Sequence, residues 1–154
     1  MRSNSLATQV VEIEHKGRKY HIHGEHLVVA EDVRWYPKKK VEVVGRGDEK
    51  VFEEWMKDIV LMPTFLMCKI EPRKGERLVA FKCGDRWCFY DMDLLPQVRM
   101  INKSLSAYCV VNCPSHPLIL EDKEGMVLLL AECEDQDGGY LEAAKEALEN
   151  GYGI

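Results

Sequence analysis

Most of the common signatures of catalysis are missing from this chain. It contains no Gly-x-Ser-x-Gly elbow, no Walker loop and no dinucleotide-type glycine fingerprint, so nothing points to an activated serine, a bound nucleoside triphosphate or a nicotinamide cofactor. Long apolar runs are absent too. No stretch approaches the ~18 uninterrupted apolar residues of a membrane span. Met1 to Thr8 is polar and no apolar segment follows it, which leads us to expect a cytoplasmic protein with no membrane partner. An excess of positive charge is also lacking. The formal net charge is −5, which argues against a chain that coats nucleic acid along its whole surface.

What is present fits one ordinary packed domain: 154 residues, 46% hydrophobic and 31% charged. Six cysteines occur, at Cys68, Cys83, Cys88, Cys109, Cys113 and Cys133. Most sit inside apolar runs such as Leu66-Met67-Cys68, so we expect buried, reduced thiols that pack as small hydrophobes. Cys83 and Cys88 flank a turn and are expected opposite each other, as thiols.

Alternation of apolar and polar residues over 9–15 and 19–23, around Lys16-Gly17-Arg18, predicts a β-hairpin, with a third strand at 27–30. Residues 31–40 read as a connection into a strand at 41–44. Asp48 is a suitable N-cap for a helix whose apolar face is Val51, Phe52, Trp55, Met56, Ile59 and Val60, and which Pro63 stops. Strands at 65–71, 77–83 and 86–91 follow, then a helix at 94–104 with Leu94, Leu95, Val98 and Ile101 inward. Three more strands fit 107–112, 117–122 and 126–132, and an amphipathic helix fits 139–149. The expected fold class is α+β: two helix-plus-three-strand units sharing one core. An N-terminal hairpin with its connection (1–40) precedes that 41–133 domain, and an acidic C-terminal helix and tail (134–154) follows it.

Two such units in one domain are the plan of the DNA sliding clamps, and the segment Ser115-His116-Pro117-Leu118-Ile119-Leu120-Glu121-Asp122-Lys123-Glu124-Gly125-Met126-Val127-Leu128-Leu129-Leu130-Ala131-Glu132 resembles a clamp's closing hairpin. Leu94 to Lys103 is similar to the last clamp helix, which turns basic residues toward DNA. The resemblance covers about 41–133. It implies a non-catalytic DNA-replication or repair accessory protein, without cofactor, in a homo-oligomer. It further implies phosphate contacts from Arg99 and Lys103, and a groove for a polymerase or other partner peptide near Pro117, Leu118, Leu130 and Ala131. Lys38, Lys39 and Lys40, beside Trp35-Tyr36-Pro37, form a second basic candidate, since aromatics next to cations suit a nucleic-acid strand or a protein surface. The other reading is a small regulatory adaptor that binds protein and never touches DNA.

His21, His23 and His26 form a His-x-His-x-x-His pattern, and alternation places His21 and His23 on one strand face, a spacing compatible with metal. Without a second histidine motif downstream, a half-exposed polar strand face is the expected outcome. Cys109 and Cys113 with His116 form a weaker candidate of the same kind.

Overall fold

The computed structural model describes residues 7–154. Among these residues the fold is α+β, with eleven strands and three α-helices. The N-terminal hairpin joins β1 (Thr8–His15) to β2 (Arg18–His23) through Lys16 and Gly17, both with positive φ (52° and 80°). That geometry matches the right-handed twist of the flanking strands and suits glycine at its second position. β3 (Leu27–Ala30) completes a meander, and β4 (Val41–Arg46) returns beside β1 in parallel.

Helix α1 (Glu49–Asp58) starts where the Asp48 carboxylate accepts the Lys50 and Val51 N–H groups, each at 3.1 Å. It ends earlier than the periodicity implies. Ile59 is already extended, and Leu61–Pro63 forms strand β5, so Pro63 lies in a strand and does not terminate the helix. Pairing of β5 with β9 (Ser106–Val110) outweighs the helical pattern. Of the expected helical face, Phe52, Trp55, Met56 and Ile59 pack half-buried on the core, whereas Val51 and Val60 are exposed.

β6 (Phe65–Arg73), β7 (Glu76–Cys83) and β8 (Arg86–Asp91) form a three-stranded antiparallel sheet. Helix α2 begins at Val98, later than 94, because Leu95 is held extended ahead of Pro96, and it runs to Ser104. β9, β10 (Leu118–Asp122) and β11 (Gly125–Leu130) then join the N-terminal strands in an eight-stranded sheet of order β4-β1-β2-β3-β11-β10-β9-β5. Residues 8–40 therefore do not stand apart, because β3 pairs directly with β11. Helix α3 (Gly139–Glu149) is no detached tail either. Its Ala144 is buried against Cys68, Ile70, Leu78, Ala80 and Phe89.

Cross-strand partners share a face, and this fixes three layers. One face of the large sheet carries Ile13 and Tyr20, opposite one another, and meets α1 through the edge-on contact of Phe52 with His15 (ring centroids 5.3 Å). Its other face carries the row Cys109, Leu118, Leu130, Leu27 and packs on Val79, Phe81, Cys88 and Tyr90 of the three-stranded sheet. That small sheet turns its opposite side to α3.

The linker from β4 to β5 joins the two outermost strands. Among the described residues, no helix is long and apolar enough to cross a membrane.

Candidate functional site

A second row on the face of the large sheet that meets the three-stranded sheet runs Leu120, Leu128, Val29, His21, Glu12, strand by strand. It is apolar as far as Val29 and polar beyond. At this polar end the cover is the 31–40 connection, which folds back so that the buried Tyr36 sits over the histidines. The Tyr36 hydroxyl lies 3.0 Å from His21 Nδ1 and 2.7 Å from His23 Nε2, and its ring packs edge-on against both imidazoles. Glu31, whose N–H donates to the Lys19 carbonyl at 2.9 Å, completes the cluster. One ligating atom each from Glu12, His21 and Glu31 lie within 4.8 Å of one another.

Burial sets the electrostatics here. It pushes the Tyr36 phenol up to about 12, aided by the Glu31 carboxylate, so the hydroxyl keeps its proton. Burial also lowers the His23 pKa, with the neighbouring His21 adding to the effect, so His23 tends toward the neutral ring. A hydroxyl has one proton to give. At least one of the two histidines must therefore donate its own N–H to the tyrosine oxygen.

Next to this cluster opens a cleft of about 340 Å³, lined by His23, Leu27, Trp35 and Tyr36 on one side and by Leu94 to Gln97 on the other. Neither basic group singled out from sequence lines this cleft, although each lies close to it along the chain. Lys38, Lys39 and Lys40 follow the lining residue Pro37 in a short, fully exposed 3₁₀ turn. Arg99 and Lys103 are exposed on α2, which starts one residue after the lining residue Gln97. Among the described residues, none of these five cations has an ion-pair partner, whereas Arg18, Arg46, Arg73, Arg77 and Arg86 all do.

The expected partner groove does not form. Pro117, Leu118 and Leu130 are buried and Ala131 is half-buried, because the row that holds Leu118 and Leu130 faces the three-stranded sheet. Nor do the three histidines converge, since His26 is exposed in the β2–β3 turn. His116 pairs with Glu132 at 3.0 Å and Cys113 lies beside Ser115, so Cys109, Cys113 and His116 assemble no ligand set. Cys83 and Cys88 are not directly opposite either; the register sets Cys83 against Arg86 and Phe81 against Cys88.

The role of Glu12 went unnoticed in the sequence, although a signal existed. A two-residue turn at Lys16-Gly17 sets His15 opposite Arg18 and hence Glu12 opposite His21. No family model matches the chain, and no curated protein or solved structure matches it.

Proposed function

We propose that this chain is a non-catalytic accessory module of DNA replication or repair that holds a nucleic-acid strand along the cleft between the 35–40 segment and α2. The observation that carries this reading is one cleft with Trp35, Tyr36 and His23 in its wall, next in the chain to exposed cations that have no ion-pair partner among the described residues: Lys38 to Lys40 after Pro37, and Arg99 after Gln97. Aromatic walls accept unstacked bases, and nearby cations neutralise phosphate. The acidic helix α3 does not oppose this, since it lies on the outer side of the three-stranded sheet.

Anisotropy of a labelled oligonucleotide tests the reading. Binding should be weak, indifferent to sequence and strongly reduced by salt. Arg99→Glu with Lys103→Glu should abolish it while the circular dichroism spectrum stays unchanged, because both side chains are solvated. No binding at low salt, or equal binding by the double variant, overturns it.

A protein-binding adaptor is the second reading, favoured by one observation: Val60, Leu61, Met62 and Phe65 are exposed at and beside the unpaired edge of β5. An unpaired, apolar sheet edge is a template for another chain, whether a partner or a second copy in a homo-oligomer. Light scattering distinguishes these. A molar mass above 17.7 kDa places a second copy there, and a monomer leaves the edge to a different protein.

A further inference from the structure

We propose that Glu12, His21 and Glu31 bind one divalent transition-metal ion, with Tyr36 as the group that orients the histidine. The three ligands come from separate pieces of chain already locked in register: Glu12 from β1, His21 opposite it on β2, and Glu31 just past β3. Their ligating atoms lie within 4.8 Å of one another. Donors around one ion with bonds near 2.1 Å lie at most about 4.2 Å apart, so a small rotation of the glutamate side chains closes the set.

The donor chemistry is two carboxylate oxygens and one imidazole nitrogen. It suits a borderline ion such as Zn²⁺ or Mn²⁺ and leaves coordination positions open to water or a phosphate oxygen. Compensating charge in the protein is slight. Arg46 approaches Glu12 at 3.7 Å, yet this side chain is largely exposed and bonds more closely to Glu49, at 3.1 Å. Glu31 has no ion-pair partner among the described residues.

The surroundings of His21 have the form that metal sites take. The residue is only 4% exposed, and Nδ1 is engaged by the Tyr36 hydroxyl, which leaves Nε2 for an ion. A ligating imidazole needs its other nitrogen to carry the proton and donate it, which fixes tautomer and ring orientation. Here the acceptor of that N–H is the Tyr36 oxygen, whose own proton then goes to His23 Nε2 at 2.7 Å. Metal binding would thus select one of the two hydrogen-bond polarities along His21, Tyr36 and His23, and so reach the wall of the neighbouring cleft.

The test is Zn²⁺ and Mn²⁺ titration of untagged, chelator-stripped protein without nucleic acid, by calorimetry for Zn²⁺ and by loss of the free-ion paramagnetic resonance signal for Mn²⁺. One equivalent should bind. Glu12→Gln and Glu31→Gln keep side-chain shape, so both should stay folded and each lose at least about ten-fold in affinity; Tyr36→Phe should lose about ten-fold through loss of the orienting bond. The inference is overturned if neither ion binds, or if the glutamate variants bind as tightly as the parent protein. Because no nucleic acid is present, this result stands independently of the strand-binding reading.

Discussion

Arg18 occupies the point where three turns meet. Its guanidinium makes two 3.0 Å bonds to the Asp122 carboxylate at the β10–β11 hairpin, reaches Asp32 beyond β3 at 3.1 Å, and donates to the Met126 carbonyl at 3.3 Å. A planar fork with two parallel bonds is the strong form of an ion pair, and this side chain is largely buried. Arg18→Leu should therefore lower unfolding stability by about 2–3 kcal/mol in urea melts, since two carboxylates lose their partner. The same contact sets an acid dependence. Hydrogen bonding to Arg18 holds Asp122 below its ordinary value of 3.8, so its contribution is fully present only above about pH 5. That contribution fades as pH falls through the lowered value, and Asp122→Asn should flatten this acid limb in melts recorded from pH 5 to 2. Thiol chemistry gives a further check at this scale. Cys68, Cys83, Cys88 and Cys109 are buried, whereas Cys113 and Cys133 are half-exposed. Native protein should label rapidly at two cysteines at most, and at all six after denaturation; four fast thiols would contradict the packing.

Helix α1 is amphipathic yet buries no residue fully: Phe52, Trp55 and Met56 pack half-buried on the core and its outer half stays in solvent. Trp55→Ala should accordingly cost about 1–2 kcal/mol, below the 3–5 typical of a fully enclosed aromatic. Helix α3 behaves differently. It alone covers the outer side of the small sheet, where Phe89 stacks edge-on with Tyr140 at 5.5 Å and the backbone of Ile154 donates to Met67. A chain ending at Gly138 should expose Phe89, Ile70 and Leu78 and bind a hydrophobic dye that the full chain does not. The bounds of α3 were legible because Gly138 and Gly151 punctuate a regular apolar stripe. Those of α1 and α2 were not. Ile59 and Val60 fit a helical face as well as a strand, and only the edge of β9 decides between them.

At the scale of the molecule, the class of fold and nearly every strand could be read from alternation and turns, while the order of strands could not. Val28 and Leu129 are opposite partners across the join of β3 and β11, and no local pattern announces so distant a pairing. The candidate site was half legible for the same reason. His21 and His23 stood out as a pair on one face, but Tyr36 reaches them only because the 31–40 connection folds back over the sheet. That same join has a consequence for how the protein is made. β3 leaves the ribosome roughly a hundred residues before its neighbour β11 exists, about five to twenty seconds at ordinary rates of synthesis. During that wait the three-residue buried run Val28, Val29, Ala30 has no partner on one side. β6, β7 and β8 are joined by tight turns and can assemble as they emerge. In pulsed hydrogen exchange during refolding, amides of 76–91 should be protected before those of 27–30, and a nascent chain stalled before β11 should be cut by protease within the N-terminal meander while β6–β8 resists.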